Sequence, residues 1–83
     1  MSWGWEYHPD EETRVGGMPP VFVALVEEKA AELVRAAEAK YLDGTLYEGF
    51  SEPGTVFVGG GMFDYLIIQR HERVYIMQVT PPL

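Results

Sequence analysis

The strongest constraint on this chain lies at its carboxyl-terminal end. Phe63–Arg70 and Arg73–Thr80 are two runs rich in Ile, Val and Tyr, with charges gathered between them at Arg70, His71, Glu72 and Arg73. β-branched and aromatic residues fit a pleated, half-buried surface, and charges mark where such a chain reverses. The pattern predicts a β-hairpin from about Phe63 to Val79 that turns near His71-Glu72. With two central turn residues, Ile67 faces Ile76 and Ile68 faces Tyr75; a three-residue turn shifts this by one and exchanges the faces. The two-residue turn places Phe63, Tyr65, Ile67, Val74 and Ile76 on one face. Leu66, Ile68, Tyr75, Met77 and Val79 then share the other.

Gly59-Gly60-Gly61 lies just before the hairpin, after the short β-branched and aromatic run Thr55–Val58. A phosphate-binding loop leads into a helix, whose first amides hold the anion. These glycines lead into a strand, so they read as a hairpin turn that uses positive φ angles. Leu46–Pro53 reads as a loop. Three antiparallel strands in sequence order make a meander.

Upstream, Val21 to about Leu42 carries the clearest helical period. Val23, Val26, Ala30, Leu33, Ala37 and Tyr41 form one stripe, widened by Phe22, Leu25 and Val34. Pro20 suits the first turn and Asp43-Gly44 suits the stop. The reading is a helix laid on a sheet; the stripe is short for a coiled-coil seam. At the amino terminus Trp3, Trp5 and Tyr7 alternate with Ser2, Gly4, Glu6 and His8, as in a half-buried strand. Pro9 ends that strand. Asp10–Thr13 suits a short helical turn before the long helix. The whole is a single α+β domain over residues 1–83: strand, long amphipathic helix, three-stranded antiparallel meander.

Composition narrows the function. Six basic residues against 13 acidic ones give a net charge of −7. Bare nucleic acid and anionic membranes are disfavoured as direct partners. The absence of cysteine removes disulfide, thiolate and cysteine-zinc chemistry. Met1–Glu6 lacks a basic segment followed by an apolar run, and no apolar stretch reaches bilayer length. A cytoplasmic protein without membrane attachment is expected. Hydrophobic residues make up 47% of a chain this small, so some apolar surface is expected to face a partner.

Few residues suggest chemistry. His8 and His71 lack zinc spacing, and the carboxylates Glu48, Glu52 and Asp64 have no forced convergence. No cofactor and no metal site is expected. Arg70, His71 and Arg73, with Tyr75 beside them, are the densest cations and suit contact with a phosphate. The plainer reading is a turn kept soluble by charge, with edge charges blocking aberrant pairing. Trp3, Trp5 and Tyr7 suggest a small-ligand platform, but their alternation fits a core face better.

The layout and the last hairpin resemble the RelE/ParE superfamily of type II toxins. That family orders a strand, a helical segment and an antiparallel meander. Its hairpin reads in outline Tyr-Arg-Leu-Arg-Val-Gly-Asp-Tyr-Arg-Val-Ile-Tyr, where this chain has Tyr65-Leu66-Ile67-Ile68-Gln69-Arg70-His71-Glu72-Arg73-Val74-Tyr75-Ile76. Tyr65, Arg73 and Val74 match. Met18-Pro19-Pro20 echoes the Leu-Pro step that often opens the family's main helix. The departures lie in charge. Family arginines fall at Leu66 and Ile68, and an apolar side chain neither holds a message nor steadies charge on a scissile phosphate. The family's further segment with catalytic groups has no counterpart after Leu83, and its toxins are usually basic.

The resemblance implies a RelE/ParE-like domain without RNase activity. Such a domain acts through protein contacts, either as a homo-oligomer or with a small antitoxin-like partner. Leu66, Ile68, Tyr75, Met77 and His71 are its expected interaction surface. The rival expectation is an active toxin, a ribosome-dependent mRNA endonuclease or other growth inhibitor, with Arg70, Arg73 and Tyr75 as catalytic candidates. A small-ligand binding module is the third.

Overall fold

A computed structural model describes residues 2–41 and 51–83. The elements are β1 (Gly4–Tyr7), α1 (Glu11–Val15), α2 (Pro20–Lys40), β2 (Ser51–Val58), β3 (Gly61–Ile68) and β4 (Arg73–Thr80). The α+β class and the meander are as the sequence predicts. The expected helix stop at Asp43-Gly44 and the proposed loop residues 46–50 lie outside the described residues. Among the described residues, no helix is long and apolar enough to cross a membrane.

Local chemistry sets the boundaries. Asp10 caps α1, its side chain accepting from the Thr13 amide at 2.8 Å. Pro20 opens α2, where the missing amide proton costs nothing. Val58 pairs with Gly61, so Gly59 and Gly60 alone form the β2–β3 turn. Their φ angles of 56° and 84° match the two positive values a type I′ hairpin requires. Strand β2 starts at Ser51, earlier than the sequence suggests, and takes in Pro53. Proline is tolerated there because the sheet order β1-β4-β3-β2 makes β2 an edge.

That order corrects one expectation. The β3–β4 hairpin is the centre of the sheet, so its charged turn protects no edge. Strand β1 pairs in parallel with β4, Gly4 opposite Arg73 and Tyr7 opposite Ile76.

The hairpin register also differs from both expected forms. Ile67 pairs with Val74, Leu66 with Tyr75 and Ile68 with Arg73. Four residues span the reversal: a 3₁₀ turn at Gln69–His71, then Glu72 with φ 51°. The shift from the expected pairing is two residues, and a shift of two keeps every side chain on its face. The register slips once more between Asp64 and Tyr65. That irregularity turns Val79 to the helix side, where it is buried, against the expectation that it shares a face with Met77.

Helices α1 and α2 cover one face of the sheet. The larger core cluster joins Tyr7, Val15, Phe22, Val26, Ala30, Phe63, Ile76 and Val79. A second joins Ala37, Tyr41, Ile67 and Val74, and Trp5, Leu33 and Tyr65 pack against both. Phe22, with 4% exposure, begins the buried stripe of α2, and Val23 flanks it. Ala30 and Ala37 let the helix backbone approach the strands. Trp5 and Tyr7 point into this core, and Trp3 stacks on Tyr41 with ring centroids 5.7 Å apart. These aromatics serve packing rather than an open platform.

Candidate functional site on the open sheet face

The face opposite the helices is where the remaining polar chemistry gathers. Alternation along β3 and β4 sends Leu66, Ile68, Tyr75 and Met77 to this side, each of them half-buried. Glu6 and His8 reach it from β1, because β1 lies beside β4. His71 reaches it from the hairpin turn. Together these seven side chains line a shallow depression of about 360 Å³. All five residues expected from sequence to form an interaction surface therefore meet at one place. A second hollow, bounded by Pro53, Thr55 and Asp64, shares Leu66 and Met77 with the first, so the apolar floor is continuous. Phe57, 77% exposed, lies beyond it on β2.

Tyr75 is the hub of the polar groups. Its hydroxyl lies 2.9 Å from Nδ1 of His71. The rings of His71 and His8 both meet the Tyr75 ring edge to face, with centroids 5.9 and 6.0 Å away. The two histidines are 63 positions apart in sequence, so no motif spacing brings them together. The missing signal is the parallel pairing of β1 with β4, which no local pattern carries.

The catalytic candidates divide. Arg70 is exposed on the turn, away from the depression's lining. Arg73 is engaged with its own chain. Its Nη1 donates to the Ser2 carbonyl at 3.1 Å and to the Glu72 carbonyl at 3.0 Å, and its Nε lies 3.6 Å from the Glu6 carboxylate. The Gly4 amide donates to the same Glu72 carbonyl. Arg73 thus ties the amino-terminal strand to the hairpin. Tyr75 alone of the three combines a place in the depression with a hydroxyl partner.

Asp64 carries the acidic end of the face and accepts the Thr55 hydroxyl at 2.7 Å. Among the described residues, no set of three or more His, Asp or Glu side chains is placed to hold a metal ion. Glu52, one of the loop carboxylates in the sequence reading, belongs to β2 and points to the helix side. It accepts from Lys40 Nζ at 2.8 Å and from the Tyr41 hydroxyl at 3.0 Å. These bonds, the lysine's first, hold its carboxyl below the usual range.

No protein-family model, curated protein or solved structure matches this chain.

Proposed function

We propose that this chain is a RelE/ParE-like domain without RNase chemistry that works through protein contacts made by its open sheet face. The carrying observation is the continuous apolar floor of Leu66, Ile68, Tyr75 and Met77, with both helices on the opposite side. One helical layer leaves one face of a sheet uncovered, and apolar side chains held there gain about 25 cal/mol per Å² when water is removed. The element order of strand, helical segment and meander agrees with the family resemblance. The engagement of Arg73 with Ser2, Glu72 and Glu6 leaves the face short of the free cations that phosphate chemistry uses.

Tightly controlled expression in a bacterial host, with the protein level verified, tests the reading. The expected outcome is normal growth, together with purified protein that brightens a hydrophobic-surface dye. Growth arrest relieved by Arg73→Ala would overturn it.

The His8–Tyr75–His71 cluster favours the active toxin as a second reading. Two imidazoles around a phenol are groups that move protons in RNA cleavage. That reading expects arrest, and its loss in Tyr75→Phe or His71→Ala.

A further inference from the structure

The outer side of β2 carries a row of backbone groups with no strand beside it. Strand β2 is the last in the sheet among the described residues. A two-residue hairpin closes on a hydrogen-bonded pair, here Val58 and Gly61. Alternation then turns the backbone groups of Val58, Val56, Gly54 and Glu52 toward β3, and those of Phe57, Thr55, Pro53 and Ser51 outward. Pro53, which has no amide proton, falls in the outward set, where a strand tolerates it. Exposed edges are ordinarily blunted by charged side chains. Ser51, Pro53, Thr55 and Phe57 carry no charge, so this edge is open to a further strand.

The side chains of the outward set lie on the open face, since Thr55 reaches Asp64 there and Phe57 pairs with Met62. A strand laid along this edge sets alternate side chains on the same face. The one opposite Thr55 meets the hollow of about 480 Å³ bounded by Pro53, Thr55, Asp64, Leu66 and Met77. That hollow suits one kind of side chain. Its floor is apolar at Leu66 and Met77. Its wall is the Asp64 carboxylate, with the Thr55 hydroxyl on Oδ1 and Oδ2 left to a second donor. An arginine lays its stem on the floor and its planar fork on the carboxylate. Asp64 lies two strand spacings from the added strand, about 10 Å, which an arginine and an aspartate span between them. A second copy is the poorer occupant: its β2 edge has no cation to offer, and each copy carries −7.

Resting on the docking reading above, we infer that β2 accepts an extended segment of a basic protein partner as an added antiparallel strand. The segment places an arginine opposite Thr55 and apolar residues opposite Phe57 and Pro53. It exchanges backbone bonds with Phe57 and Thr55 and donates to the Pro53 carbonyl. These bonds supply the affinity, and the hollow beside Asp64 supplies the selectivity for a cation. Phe57, 77% exposed in the free chain, gains a cross-strand neighbour.

Titration of isotope-labelled protein with the end-blocked peptide Thr-Val-Thr-Arg-Thr-Val-Thr, followed by amide NMR up to millimolar peptide, tests this. The Thr55 and Phe57 amides are expected to move most, and the Val56 and Val58 amides, which already face β3, least. Asp64→Asn keeps an acceptor for Thr55 and is expected to weaken binding about two- to fivefold, the range of an exposed ion pair. The same variant is expected to leave unchanged the binding of a probe with Gln in place of Arg. Methylation of the arginine's backbone nitrogen is expected to abolish binding. Binding that survives that methylation, or that ignores Asp64→Asn, overturns the proposal. Thr55 and Phe57 shifts that follow protein concentration without peptide also overturn it, by placing a second copy on the edge. No shift at millimolar peptide overturns strand addition. A protein that still brightens the hydrophobic dye then keeps the docking reading, and one that binds no dye loses both.

Discussion

Tyr7 shows how much one side chain in this fold must reconcile. Its ring belongs to the core while its hydroxyl donates to the Glu27 carboxylate at 3.0 Å. Burial raises the hydroxyl's pKa, and the bond to Glu27 raises it further. A tyrosine in an unfolded chain loses its proton near pH 10, at about its ordinary pKa. This stabilising difference is therefore intact below about pH 10 and lost as pH rises toward the folded value. Denaturant melts at neutral and alkaline pH should show stability falling above about pH 10. Tyr7→Phe should flatten that fall, at a cost near neutral pH of about 1 kcal/mol for the lost hydrogen bond. Tyr41, also raised by burial and then by Glu52, keeps the flattening incomplete. Ile76 gives the complementary apolar test: with 0% exposure, its replacement by Ala should cost about 2–5 kcal/mol in the same melts. Both residues were legible as core from alternation alone. The partner of Tyr7 was not, because meeting Glu27 depends on where β1 sits in the sheet, and the strand order is not carried by local pattern.

Among the elements, the hairpin was the most readable and the most instructive where it departed. Its two strands follow from composition, and its faces survived a wrong register because the error was an even number of residues. Val79 escaped because the irregularity near Asp64 and Tyr65 is an odd step, which alternation cannot anticipate. The early start of β2 was hidden by Pro53 and Gly54, both poor strand formers. Tyr65 explains Gly54: a side chain at that position would collide with the tyrosine ring. Gly54→Val should therefore destabilise the fold by about 1–3 kcal/mol, measured by thermal unfolding, although valine favours strands elsewhere. The far end of α2 is fastened to β2 by Lys40 and Tyr41 on Glu52. Because the folded carboxyl titrates below its unfolded value, that contribution is present at neutral pH and lost as pH falls through the acid range. Glu52→Gln should flatten the acid limb of the stability profile and also soften the alkaline limb, because the Glu52 carboxylate helps to raise both Lys40 and Tyr41.

At the scale of the molecule, the decisive fact is the strand order, and no local pattern carried it. Placing β1 beside β4 puts the aromatic row into the core, moves the charged hairpin from an edge to the centre, and gathers His8 and Glu6 around Tyr75. A four-residue parallel strand at an edge has little hydrogen bonding of its own to hold it. Arg73 supplies extra connections, through the Ser2 and Glu72 carbonyls and the Glu6 carboxylate. Arg73→Ala should therefore loosen β1 before anything else. Hydrogen exchange should quicken at the Gly4 and His8 amides, which donate to the Glu72 and Ile76 carbonyls, while the β2–β3 ladder keeps its protection. A residue kept for phosphate contact would behave differently: its removal would leave exchange along β1 unchanged and alter activity alone. Uniform protection in Arg73→Ala would thus remove the structural account of this arginine and return it to the list of candidates for chemistry.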